Sequence, residues 1–286
     1  MRSFFRLKII AVFLQYDTEK YPAAFENFKM YLKRQLPKER FVLILVDNKH
    51  EGDEIRWLDD NTVYMQGDNT DWEFSGWQKG IAFARENRLQ YDVALLANDS
   101  FQVNGTPFIT NHNIEWSVLK SYYLSAVIGF VETRWQKARI KDKVVRIWLR
   151  TDCFFVPKRV VDALGTLVSV DQASLDEYLP KTFSAGDIVF MPTAPLNLIF
   201  KDRIIEWVTV EWHSKFGIRE STWALFRGKT KAILNEALLY TRIRDLGYPV
   251  IPYDVPGFLF RKLGGIYKKM VPVISHRCRA GAGTER

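Results

Sequence analysis

Cysteine and histidine are scarce in this 286-residue chain, and their scarcity excludes two ways of building a protein. Two cysteines, Cys153 in an apolar segment and Cys278 near the C-terminus, cannot supply a disulfide framework. Four scattered histidines, His50, His112, His213 and His276, show no metal-ligand spacing. No run approaches the roughly 18 to 20 uninterrupted apolar residues of a membrane span. No internal repeat is visible, and no linker rich in Gly, Pro or Ser divides the chain. A glycine-rich loop with a Lys or Arg placed after the first strand is also missing, which counts against a nucleotidyltransferase.

What is abundant is apolar residues, 47% of the chain, enough for one large core or two small ones. The net charge of +8 is unevenly placed. Between residues 257 and 286 seven Lys and Arg stand against Glu285 alone, so +6 belongs to the tail and +2 to the other 256 residues. A basic nucleic-acid-binding body is therefore not expected. The opening MRSFFRLKIIAVFLQYD is basic and then apolar, like a leader. No small-residue cleavage site follows, and Gln15-Tyr16-Asp17 reads as the end of a first strand. The expectation is a cytoplasmic protein.

The first half alternates strands and helices. Apolar runs at residues 7–14, 41–46, 61–65 and 92–97 predict strands, and the spacing of Phe25, Phe28 and Leu32 predicts a helix over 21–36. A second helix is expected over 75–87, with Trp77, Ile81 and Ala84 on one face. Such alternation predicts a mostly parallel α/β sheet flanked by helices. In the second half, strands are expected over 126–133, 144–150 and 152–156, and a helix over 158–167 behind Pro157. A further helix over 230–246 stops at Gly247, and a short strand follows over 249–253.

The segment QGDNTDWEFSGWQKGIAFARENRLQYDVALLANDSF, residues 66–101, carries the most chemistry. It reads as a polar loop, a helix and a buried strand ending in Asn98-Asp99-Ser100. Ligands of open α/β sheets bind at the carboxyl ends of such strands. Asn, Asp and Ser are also turn formers, so the triplet reads equally as a site or as a turn.

Two segments together resemble the GT-A fold, nucleotide-sugar-dependent glycosyltransferases of the family 2 type. They are similar in particular to the rhamnosyltransferase and rhamnan-synthesis branches that build bacterial surface polysaccharides. Those enzymes carry a polar loop, a helix and a strand reading like DYVLLLND. The counterparts here are Asp68-Asn69, then Glu73 to Gly80, then Tyr91 to Ser100. The second segment runs from Asn235 to Tyr248 and resembles the family helix ED-x-D-L-x-x-R-L-x-x-x-G-Y. Counting back from Gly247-Tyr248 places Glu236 on the position of the catalytic base. The resemblance spans about residues 7–255 and is weakly anchored between about 102 and 220.

The resemblance implies a GT-A (Rossmann-like) α/β domain over residues 1–256, with a nucleotide-sugar-binding half (1–101), an acceptor half (102–256) and a basic amphipathic tail (257–286). It implies sugar transfer, inverting, from a nucleotide-sugar donor to a glycan or lipid-linked acceptor in bacterial surface polysaccharide assembly. Glu236 would be the base. Asp47, Asp68, Asn69, Asn98 and Asp99 would bind the donor, and Arg150, Thr151 and Asp152 the acceptor. A divalent metal, Mn²⁺ or Mg²⁺, would rest on Asp99.

This sequence departs from the family pattern. The metal motif Asp-x-Asp is incomplete, reduced to Asn98-Asp99-Ser100, and the paired acids of the second motif are reduced to Asn235-Glu236. Asp187 is a candidate to complete a metal site, and Arg134 or Arg150 to neutralise phosphate in its place. Arg242 is placed to reach a phosphate or to form a helix-surface ion pair. Trp207, Trp212, His213 and Trp223 form a sugar-stacking platform, or else core or membrane-facing aromatics. The tail mixes apolar residues with paired cations, and over 257–279 it suits an anionic membrane surface, which implies a peripheral protein at the cell membrane. The thinned acidic motifs also admit a catalytically inactive nucleotide- or glycan-binding subunit of an assembly complex.

Overall fold

The computed structural model describes residues 7–101, 113–133, 138–184, 189–212 and 214–253. The tail, Arg134, Asp187, His112, His213, His276 and Cys278 lie outside the described residues.

An eight-stranded mixed sheet, mostly parallel and flanked by helices, organises the chain. Its first strands are β1 (Ile9–Gln15), β2 (Phe41–Glu51), β3 (Ile55–Asp59), β4 (Thr62–Gly67) and β5 (Val93–Asn98). They are followed by β6 (Val127–Glu132), the small hairpin β7 (Ala138–Ile140) and β8 (Lys143–Val145), β9 (Trp148–Pro157) and β10 (Val250–Pro252). The helices are α1 (Ala24–Gln35), α2 (Glu73–Glu86), α3 (Ile114–Leu124), α4 (Lys158–Leu164), α5 (Gln172–Leu175), α6 (Leu198–Glu206) and α7 (Trp223–Asp245).

The strand order is β10-β6-β9-β5-β1-β2-β4-β3. β1 pairs in parallel with both β2 and β5, Leu14 standing beside Asn98. The chain builds outward from β1 to β2 and β4, then returns to β1's other side as β5. The neighbouring carboxyl ends of β1 and β5 therefore form a topological switch point, where open sheets leave a crevice. β9 enters antiparallel to β5, which brings its first residues to the same end of the sheet.

The alternation of β1 decides the layers, because successive side chains of a strand point to opposite faces. Ile9, Ala11 and Phe13 pack with α1 and α3, whereas Ile10, Val12 and Leu14 pack with α2, α4 and the end of α7. A third apolar cluster joins the β7–β8 hairpin, α6 and the first half of α7 through Phe200, Ile204, Phe226 and Leu234. The helix α7 thus passes from one core to another, and Glu236 sits near the crossing. Its stop is at Gly247, whose φ of +82° is a left-handed conformation suited to glycine.

Several elements differ from the sequence expectation. β2 runs through Asp47 and Asn48 to Glu51, because pairing with β4 resumes after an irregularity at Asp47. The exposed edge strand β3 lacks an apolar run and was not anticipated. Residues 148–157 form one strand instead of two, since polar Arg150, Thr151 and Asp152 interrupt its apolar pattern where it borders the crevice. Helix α7 begins at Trp223, a full two turns earlier than the expected start, and α3 and α6 were also missed.

Candidate active site

At the switch point lies an open cleft of about 910 Å³, bordered by the ends of β1 and β5, the start of β9, the start of α2 and one face of α7. That face follows helical spacing: Leu225, Gly228, Lys229, Ile233, Glu236 and Ala237 all line the cleft.

The start of α2 is held close to the sheet by two small residues. A Cβ on Gly76 would stand 2.1 Å from Leu14 Cδ1, and one on Gly80 2.5 Å from Val12 Cγ1. Trp77 donates from Nε1 to the carbonyl of Ala97 at 2.9 Å, fastening the same helix to β5. Lys231 of α7 pairs with Asp71 at 2.8 Å and donates to the carbonyl of Thr70, joining the α2 approach loop to α7. At the start of this docked helix Trp72 takes φ +56°, a region that non-glycine residues seldom enter, and Glu73 follows it at the cleft wall.

The triplet at the end of β5 is both turn and site wall. Asn98 Oδ1 accepts from Ser100 N at 3.1 Å and Ser100 Oγ at 2.8 Å, which makes the turn. Asp99 Oδ2 accepts from the backbone N–H groups of Tyr16 and Asp17 at 2.9 and 2.8 Å, holding the chain that leaves β1. Burial raises the Asp99 pKa against those two donors, and the nearby Asp17 charge adds to the rise. All three triplet residues line the cleft.

Glu236 reaches the cleft from α7. Its Oε1 accepts from Thr151 N at 3.1 Å and from Thr151 Oγ1 at 2.9 Å. The same hydroxyl stands 3.1 Å from Glu73 Oε1. Burial, with the charge of Glu73 second, pushes the Glu236 pKa from 4.5 up to about 7; Thr151 and Lys229 pull the other way. Lys229 lies over the rings of Trp72, Trp207 and Trp212, at 4.8, 4.7 and 4.9 Å from their centroids. Burial lowers its pKa against the attraction of Glu73 and Glu236.

Beside them, Asp152 is pushed up to about 6 by burial, with Arg150 opposing. Arg150 is shared between Asp152 at 3.1 Å and Glu132 at 3.5 Å. Arg203 is likewise engaged, by Glu206 and by Glu211 at 3.0 Å. Among the described residues, seven carboxylates and four cations line the cleft. An anionic ligand would therefore need positive charge brought with it.

Of the residues singled out from sequence, Asn69, Asn98, Asp99, Arg150, Thr151, Asp152 and Glu236 converge on this cleft. Asp47 and Asp68 are not in its lining. The carboxylate of Asp47 is taken up by His50 Nδ1 at 2.8 Å, Lys49 N at 3.1 Å and Tyr64 OH at 3.4 Å. Asp68 accepts from Thr70 N and Thr70 Oγ1, both at 2.9 Å, as a local turn. Arg242 donates to the carbonyls of Leu164, Thr166 and Val168, so it caps the end of α4. Asn235, beside Glu236, accepts from Ser169 N and Val170 N and donates to Val170 O.

Trp207 and Trp212 stack on each other with centroids 5.9 Å apart and line the cleft, while Trp223 is buried against Phe226. Sequence reasoning missed Glu73 and Lys229 as site residues. Lys229 lay just before the expected start of α7, so the helical face that carries residues 229, 233 and 236 emerged only when the helix proved to begin at Trp223. Glu73 had no such signal, since its place depends on how α2 docks.

Among the described residues, no group of three His, Cys, Asp or Glu side chains converges as a metal-ligand set. A hard divalent cation at this end of the sheet would rest on Asp99 and Asp17, and phosphate oxygens and water would complete its shell. The surplus of carboxylates suits such an ion.

No protein-family model and no curated protein matches the chain. Among solved structures, it is similar to the mannosyltransferase PcManGT from Pyrobaculum calidifontis in complex with GDP-Man and Mn²⁺, at 9% identity and a TM-score of 0.30. The match covers 93% of this chain and 83% of that one. A likeness at this level supports no conclusion about activity.

Proposed function

We propose that the chain is a nucleotide-sugar-dependent glycosyltransferase with Glu236 as its general base. The observation that carries the reading is a carboxylate lining an open cleft at the β1–β5 switch point, its pKa raised to about 7. A base tuned to that range is unprotonated in about half of the molecules at pH 7 and in most of them above it, while it keeps a strong affinity for the proton it accepts. In the reaction, the acceptor hydroxyl oxygen forms a bond to the anomeric carbon as the carbon–oxygen bond to the nucleoside diphosphate breaks. The acceptor's proton passes to Glu236, and a single displacement inverts the anomeric centre.

Asn98, Asp99 and Asn69 border the donor side, and Arg150, Thr151 and Asp152 the acceptor side. A divalent ion supported by Asp99 would supply the charge that a diphosphate leaving group needs. The stacked indoles of Trp207 and Trp212 give the wall an apolar face suited to sugar rings. The finer reading, assembly of a bacterial surface polysaccharide on a lipid-linked acceptor at the inner membrane face, is carried by the motif resemblance and the basic tail composition. No described helix is long and apolar enough to cross a membrane.

The test is a thermal-shift screen of nucleoside diphosphates and their sugars with and without Mn²⁺ or Mg²⁺, followed by a transfer assay. A specific donor should raise apparent stability, and Glu236→Gln should keep that binding while losing turnover. Binding without turnover in the unaltered chain would instead identify an inactive binding subunit. The absence of both binding and turnover would refute the proposal.

A further inference from the structure

Two carboxylates and one hydroxyl meet in the cleft in an arrangement that a single general base does not require. Thr151 Oγ1 lies 2.9 Å from Glu236 Oε1 and 3.1 Å from Glu73 Oε1. A hydroxyl carries one proton and can donate to only one of the two. If both carboxylates are ionised, the other faces the lone pairs of Thr151 without a hydrogen between them. Both contacts become hydrogen bonds when one proton is added: the protonated carboxyl donates to Oγ1, and Oγ1 donates to the remaining carboxylate.

We propose that Glu73, Thr151 and Glu236 form a proton relay, in which one proton is held across the two carboxylates through the threonine hydroxyl. Resting on the glycosyltransferase reading, the relay gives Glu73 a role in turnover. Turnover starts from the ionised pair, so the one proton the pair then holds is the acceptor's: taken up at Glu236, it moves to Oγ1 while the Oγ1 proton moves to Glu73. Glu236 is restored as a carboxylate, Thr151 regains its hydroxyl, and the proton resides on Glu73.

The surroundings favour a single shared proton. The charge of Glu73 raises the Glu236 carboxyl, second only to burial, which penalises a second negative charge there. Lys229, from α7, offsets part of that charge but stays among three indole rings. On β9, Arg150 and Asp152 pair with each other, and Asp17 and Asp99 face the same cleft from the strand ends. The backbone N–H of Thr151 donates to Glu236, which fixes the hydroxyl's position relative to both acids.

The test follows side-chain carboxyl ¹³C signals of glutamate-labelled full-length protein as pH is raised, with assignments from Glu236→Gln and Glu73→Gln. The Glu73 signal is expected to inflect at the Glu236 midpoint, and Glu73→Gln to shift that midpoint downward. Thr151→Val should remove the Glu73 inflection, and Thr151→Ser should restore it. Amide spectra report whether each variant is folded, and the Glu73→Gln shift stands independently if Thr151→Val is not. A Glu73 signal with no inflection there, or a Glu236 midpoint unmoved in Glu73→Gln, would overturn the relay. Transfer activity separates the two proposals. Coupled signals in a protein that transfers no sugar would leave the relay and remove the glycosyltransferase; uncoupled signals in an active transferase would do the reverse.

Discussion

Replacing Glu236 with Gln should stabilise the protein at alkaline pH while removing its proposed activity, and the size of the effect follows from the site. The carboxyl group has an ordinary value of 4.5 and is raised to about 7 in the fold, chiefly by burial. The folded state therefore holds a proton that the unfolded chain releases between those values. Its stabilising contribution is complete below 4.5 and is lost as pH rises through about 7.

At about 1.36 kcal/mol per pH unit, that interval caps the loss at about 3 kcal/mol. Glu236 opens partly onto the cleft, and screening there brings the expected figure down to about 1 to 2 kcal/mol. The glutamine keeps the amide oxygen that Thr151 N–H and Oγ1–H address, so no hydrogen bond to Thr151 need be lost. Urea denaturation at pH 5 and pH 8 measures the difference. The variant should gain about 0.5 M in midpoint relative to the unaltered chain between the two values, taking a slope of about 3 kcal/mol per M. A gap that stays constant or narrows toward pH 8 would refute the burial argument and with it the neutral-range base. In the transfer assay the same variant should lose at least about 100-fold in rate.

Three further substitutions probe the supports of the site. Asn235→Ala should cost about 3 kcal/mol in unfolding free energy, read by urea denaturation, because it leaves Ser169 N–H, Val170 N–H and Val170 C=O without their buried partner; a cost below about 1 kcal/mol would show that water replaces it. Gly228→Ala puts a Cβ 2.9 Å from Trp72 Nε1, so tryptophan emission should change and stability fall by about 1 to 3 kcal/mol. Unaltered emission and stability would place the indole elsewhere. Asp99→Asn keeps an oxygen for the Tyr16 and Asp17 N–H groups but removes the charge. It should change the ligand-free urea midpoint little while abolishing metal-dependent stabilisation by a nucleoside diphosphate, and metal-dependent stabilisation that persists would exclude Asp99 as the metal's support.

The sequence by itself determined most of the sheet. Continuous apolar runs such as Val93 to Ala97 require burial on both faces, and that requirement is local and readable. The helix α7 was legible from its apolar spacing, but Glu236 was singled out only by its register to Gly247-Tyr248 in the motif resemblance, since a glutamate on a helix otherwise reads as solvated. The boundary at Asn98 was also legible, although turn and site could not be separated there; in the folded chain Asn98 makes the turn while Asp99 holds the β1 loop.

Only the tertiary structure decided which polar residues meet. Glu73, Thr151 and Glu236 are separated by 78 and 85 positions, and they converge because β9 enters antiparallel beside β5 and α2 docks tightly through Gly76 and Gly80. Asp47 turned toward His50 and Tyr64, and Arg242 toward the end of α4, through contacts that no local pattern encodes. Periodicity reports whether a side chain faces inward, since burial depends on the element alone. What it faces depends on strand order and helix docking, which the whole chain settles together.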